Sequence, residues 1–131
     1  MQANPVVWFE IYVQDMDRAR AFYETVFDCR LEALGAPDGE AGGMQMLAFP
    51  SEMECAGAPG AAGTLVKMDG VPSGPGGTMV YFSCEDCAVE QGRVVGAGGS
   101  VFRPKFSIGP YGHAALVTDT EGNMIGLHSM A

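Results

Sequence analysis

The chain has 131 residues, 47% of them hydrophobic, enough for one ordinary domain with a core. Its formal charge of −9, from 16 Asp and Glu against 7 Lys and Arg, argues against nucleic acid, whose phosphates call for a basic patch. No run approaches the roughly 20 apolar residues of a membrane span, and the opening Met-Gln-Ala-Asn-Pro has neither the basic nor the apolar region of a signal peptide, so a cytoplasmic chain is expected.

In chain order, the first predicted element is a strand over Val6–Val13. Phe9, Ile11 and Val13 alternate with Trp8, Glu10 and Tyr12, the period of two of a strand with distinct faces. The apolar set can pack on a helix. The other set puts a carboxylate between an indole and a phenol, a poor solvent face and a plausible pocket wall. Asp15 is placed to cap a helix, with acidic Asp17 in its first turn. Over Met16–Phe27 the spacing becomes helical, and Ala19, Phe22, Tyr23, Val26 and Phe27 read as the stripe that faces the core.

Strands follow near Leu31–Leu34, Met44–Pro50 and Thr64–Asp69. The segment Ser51–Gly63 between the last two reads as a loop able to cover a pocket. Gly70–Gly77, rich in Gly and Pro, reads as a linker. A second alternating strand spans Thr78–Cys84, and Asp86 begins a helix running to about Ala97, stopped by the glycines at 96, 98 and 99. The last strands are expected near Val101–Phe106, Gly112–Thr118 and Met124–His128, with Glu121-Gly122-Asn123 turning the final hairpin. The chain is therefore a βαβββ plan written twice in one α+β domain over residues 1–131: a module over about 5–69, a linker over 70–77 and a module over about 78–131.

The four cysteines are Cys29, Cys55, Cys84 and Cys87. Cys84-Glu-Asp-Cys87 is a C-x-x-C with no second pair at metal-site spacing, and Cys84 falls on the helix side of its strand, so buried reduced thiols are expected. His113 reads as a surface or strand-edge histidine, with the mouth of a site as the alternative. Phe102 and Phe106 read as core or pocket wall, with parity undetermined.

The pattern Asp15-x-x-Arg18-Ala19-x-x-Phe22-Tyr23 after an alternating strand, with Asp119-Thr-Glu-Gly-Asn123 before the last strand, resembles the vicinal oxygen chelate superfamily. That group includes glyoxalase I, extradiol dioxygenases, fosfomycin resistance enzymes and bleomycin-binding proteins. The resemblance covers nearly the whole chain. It implies two βαβββ modules forming an eight-stranded open sheet or cleft with helices on the outer face, and a homodimer. It also implies a divalent metal held by His and Glu from the first and last strands of each module.

Counting from the two helix-initiating aspartates and from Asn123 puts Trp8, Met79 and Gly126 at three of the ligand positions. The fourth falls within Ala61–Met68, which has no His, Asp, Glu or Cys. Hard or borderline cations take imidazole or carboxylate donors, so no metal or other cofactor is expected. A metal could enter only through a displaced site at Glu10 and His128. One pleat further along each strand stand Glu10, Tyr81 and His128, expected as a polar row walled by Trp8, Tyr12 and Met79. Three readings of this row stand side by side. It can bind a small organic molecule. It can serve a glyoxalase-like lyase, isomerase or dioxygenase acting on a carbonyl or diol compound, with Glu10 as base and His128 as acid. Or it can be structural.

Overall fold

The computed structural model describes residues 3–35, 43–51 and 60–131. The expected covering loop and Cys55 fall largely outside them. The described chain is α+β, with eight strands and two longer helices. It divides into two compact units, Trp8–Thr78 and Met79–Ala131, the latter joined by the residues before Trp8.

The first unit carries β1 (Val6–Tyr12), α1 (Met16–Phe27), β2 (Glu32–Leu34), β3 (Gln45–Ala48) and β4 (Ala62–Lys67), with strand order β2-β3-β4-β1. β1 and β4 are parallel, and the other neighbours are antiparallel. The second unit repeats the plan: β5 (Thr78–Ser83), α2 (Cys87–Val94), β6 (Ser100–Ser107), β7 (His113–Thr118) and β8 (Met124–Ser129), ordered β5-β8-β7-β6 with β5 parallel to β8. This is the expected βαβββ organisation. No helix among the described residues is long and apolar enough to cross a membrane.

Both helices start as their aspartates dictate. The Asp15 carboxylate accepts the Arg18 N–H at 3.0 Å, and the Asp86 carboxylate accepts the Ala88 N–H at 3.0 Å. Lys105 adds an ion pair to Asp86 at 2.8 Å, and together these hold the Asp86 carboxyl below the usual range. α2 ends at Val94, short of Ala97, where the N–H groups of Ala97 and Gly99 turn back onto the Val94 carbonyl. Asp119 builds the last hairpin turn by accepting from the N–H groups of Glu121 and Asn123 and from the Asn123 side chain. These donors hold its carboxyl below the usual range as well.

The first core joins Met16, Leu31, Leu47 and Leu65, with Ile11, Val13, Ala19 and Tyr23 packed against it, so the apolar side of β1 faces α1 as expected. The expected core stripe of α1 does not hold throughout, because Phe22, Val26 and Phe27 are 58%, 55% and 63% exposed. Phe22 and Val26 sit about 100° and about 60° around the helix from Tyr23, both on the same flank, turned away from the core. Arg20 and Glu24 take the opposite flank, paired at 3.1 Å, while Glu24 also accepts the Leu31 N–H and Arg20 donates to the Leu31 carbonyl. The second core joins Cys87, Ala115, Val117 and Leu127. In β6, register shifts at Val101/Arg103 and Arg103/Phe106 break the alternation. Phe102 points to solvent at 66% exposure, and Phe106 lies under the Arg103 guanidinium.

Candidate functional site

Alternation along β1 puts Trp8, Glu10 and Tyr12 on the face away from α1, and all three are half-buried. They form one unit. The Trp8 indole N–H donates to Glu10 Oε2 at 3.3 Å, and the Tyr12 hydroxyl donates to Glu10 Oε1 at 2.8 Å. Burial, and then the Glu10 charge beside it, pushes the Tyr12 phenol far above its usual range. Its contribution to stability is therefore present below the ordinary tyrosine pKa of about 10 and is lost only as pH rises through the higher folded value.

β4 supplies the neighbouring side chains. The register sets Glu10 opposite Thr64 and Tyr12 opposite Val66. Thr64 and Val66 are buried, and Thr64 Oγ1 has no hydrogen-bond partner among the described residues. Sequence reasoning passed over Thr64, since a threonine within a strand carries no signal of its partner. A groove of about 540 Å³ in the same unit lies at the N-terminal end of α1, lined by Val13, Arg18, Phe22 and Ser73 among others, and includes neither Trp8 nor Glu10. Tyr12 also lines it, so the groove borders one aromatic neighbour of the carboxylate without reaching Glu10.

In the second unit, the expected level row of Tyr81 and His128 is not formed. The parallel register sets Tyr81 beside Gly126 and His128 beside Ser83, so the two share a side but stand one pleat apart. His128 Nε2 lies 2.7 Å from the Tyr111 carbonyl, which can only accept, so this nitrogen carries the proton. Met79 is buried at 8% exposure. His113 is on the interior strand β7, not at an edge, with Nδ1 buried and without a hydrogen-bond partner among the described residues. Cys84 and Cys87 are free thiols. Burial, with the Glu90 carboxylate nearby, pushes the Cys84 thiol up to about 11, which disfavours the reactive thiolate.

The residues at the positions implied for a metal do not fit one. Glu10 and Tyr81 each stand two residues beyond the counted positions, and they pair with Thr64 and Gly126 respectively, so Thr64 is the β4 counterpart of Gly126. Trp8, Thr64, Met79 and Gly126 offer neither imidazole nor carboxylate. A Cβ on Gly126 would overlap the Tyr81 ring, so the ring fills the space a ligating side chain would need. Among the described residues, no group of three or more His, Cys, Asp or Glu is disposed to hold a metal ion.

Comparison with solved structures finds the same fold. A substituted methylmalonyl-CoA epimerase of Streptomyces coelicolor, in complex with 2-nitronate-propionyl-CoA, superposes with a TM-score of 0.68 at 14% identity, over 97% of this chain and 94% of that one. Methylmalonyl-CoA epimerase from Mycobacterium tuberculosis gives 0.65 at 16% identity, over 100% and 93%. The hypothetical protein BH1468 from Bacillus halodurans gives 0.66 at 12% identity, over 96% and 94%. Among curated proteins, "Putative glyoxylase CFP32" of Mycobacterium bovis and of Mycobacterium tuberculosis is 29% identical over 121 residues, which is 92% of this chain. The chain spans 43% of the length of those relatives. Residues 6–127 match the family described as the Glyoxalase/Bleomycin resistance protein/Dioxygenase superfamily, and the chain belongs to that superfamily.

Proposed function

We propose that this protein binds a small organic molecule against the Trp8, Glu10 and Tyr12 face of β1, without the metal commonly held by the superfamily. One observation carries the reading: the Glu10 carboxylate is held in a fixed orientation by the two aromatic side chains that flank it. Small-molecule sites combine apolar and aromatic walls with a few oriented polar groups, and this trio has that composition. Within the second unit taken by itself, Tyr81, His128 and the buried Met79 are further candidates for ligand contact. A homodimer is part of the proposal, on the strength of the family resemblance.

Catalysis by Glu10 as base is the alternative, and the geometry favours binding over it. Both Glu10 oxygens already accept a hydrogen bond, an arrangement that suits orientation of a bound group. Trp8 is the single tryptophan of the chain, so its emission reports on this face directly. A small-molecule library read by Trp8 emission and by thermal shift should yield ligands that bind the unsubstituted protein, with binding lost in a folded Glu10→Gln variant. A ligand set that shifts the melting temperature equally in both proteins and leaves Trp8 emission unchanged would move the site elsewhere.

A further inference from the structure

The groove at the N-terminal end of α1 has the makings of a second site. Its volume of about 540 Å³ lies within the range of small-molecule sites. One wall is the flank of α1 that carries Arg18 and Phe22, and the facing wall is the segment Ser73–Thr78. That segment is tied down at several points. The Tyr12 N–H donates to the Gly77 carbonyl at 2.7 Å, and the Gln14 side chain donates to the Val71 carbonyl at 3.0 Å. The Gly77 N–H closes a turn on the Gly74 carbonyl at 2.8 Å. A Cβ at Gly77 would come within 3.0 Å of that carbonyl oxygen and of the Ser73 backbone, so the turn depends on glycine. A wall formed before binding spares the ligand the cost of ordering it.

Two charged side chains line the groove, Asp15 and Arg18. They carry opposite signs but are not paired with each other, and among the described residues the Arg18 guanidinium has no hydrogen-bond or ion-pair partner. Asp15 uses Oδ1 on the Arg18 N–H, and among the described residues its other oxygen has no partner. Phe22 follows Arg18 by four residues, on the same flank of the helix, and is exposed. Its ring is nevertheless held in place by edge contact with Tyr23, at 5.1 Å between centroids and 82° between planes.

A ligand with one charge would satisfy either Asp15 or Arg18 and be repelled by the other. A ligand with adjacent positive and negative groups satisfies both, and carrying no net charge it is indifferent to the acidity of the chain as a whole. We propose that this groove binds an apolar α-amino acid as its zwitterion. The ammonium group pairs with Asp15, the carboxylate with Arg18, and the side chain lies on the Phe22 ring. The proposal stands apart from the reading of the β1 face, since neither Trp8 nor Glu10 lines the groove.

The test titrates L-phenylalanine, phenethylammonium and 3-phenylpropanoate, which share an aromatic body and differ in charge, into the full chain and follows assigned backbone amide resonances. L-phenylalanine is expected to shift the amides of Asp15, Arg18, Phe22 and Gly74–Gly77 and to bind at least about threefold more tightly than either analogue, as two exposed ion pairs would give. In Arg18→Gln its advantage over phenethylammonium should vanish. In Asp15→Ser, which keeps a helix-capping side chain, its advantage over 3-phenylpropanoate should vanish. Phe22→Gln should weaken all three. Equal binding of either analogue to the unsubstituted protein, or an advantage retained in Arg18→Gln and Asp15→Ser, would overturn the zwitterion assignment. Shifts confined to residues outside the groove, or no shift up to tens of millimolar, would overturn the site itself. Each of these outcomes leaves the reading of the β1 face to its own test by Trp8 emission.

Discussion

At the scale of single residues, Gly126 and Tyr81 constrain each other more tightly than any pair identifiable from spacing. The Tyr81 ring lies where a Cβ at Gly126 would stand, and Gly126 is buried, so the side chain cannot be accommodated by a shift into solvent. Gly126→Ala is expected to destabilise the protein by about 1–3 kcal/mol through overpacking. The same substitution in a Tyr81→Ala background should cost markedly less, and urea unfolding of the four proteins measures the difference. Equal costs in both backgrounds would mean that the ring is not what excludes a side chain. Glu10 was legible at this scale because a carboxylate between two aromatics is an unusual strand face. Its two donors, and the Tyr111 carbonyl that holds His128, were not, because hydrogen-bond partners depend on rotamers and on chain segments distant in sequence.

At the scale of elements, α1 separates what periodicity can establish from what it cannot. The cap and the helix at Met16–Phe27 follow from Asp15 and from the change of period, and both are observed. The width of the buried stripe does not follow, because a four-strand sheet covers a narrower arc of the helix than its apolar residues span. Ala19 and Tyr23 pack on the core, while Phe22 and Val26 remain exposed. Phe22→Gln and Val26→Thr are each expected to change stability by no more than about 0.5 kcal/mol, as for surface positions in general. Thermal unfolding of the isolated variants is the check, and a loss several times larger would mean that this flank of α1 is covered in solution. β6 is the complementary case. Its two register shifts cancel the alternation that would have assigned Phe102 and Phe106 to a side.

At the scale of the whole molecule, the doubled βαβββ plan matches the fold of structures with which the chain shares only 12–16% identity. Fold and chemistry therefore separate, and the donor set has to be judged on its own residues. Trp8, Thr64, Met79 and Gly126 lack the donors that Zn²⁺, Mn²⁺ or Fe²⁺ would take. Protein purified untagged under reducing conditions, then incubated with each of these ions and with Ni²⁺, is expected to hold well under one metal per chain by elemental analysis. About one per chain, abolished in Glu10→Gln or His128→Ala, would instead assign these two residues a ligating role and bring metal-assisted chemistry forward.

The residue order by itself determined the eight strands and two longer helices, the two helix caps, the final turn and the face on which Glu10 lies, but not the short 3-10 turn at Gly109–Tyr111. All of these are local: a side chain capping its own helix, a period of two or of 3.6, a turn closed within five residues. Only the tertiary structure decided the strand registers, and with them that Tyr81 meets Gly126 while His128 lies one pleat away beside Ser83. A parallel pair is joined by no tight turn, so nothing along the chain sets its register. Packing of both faces sets it, and that is a property of the assembled sheet.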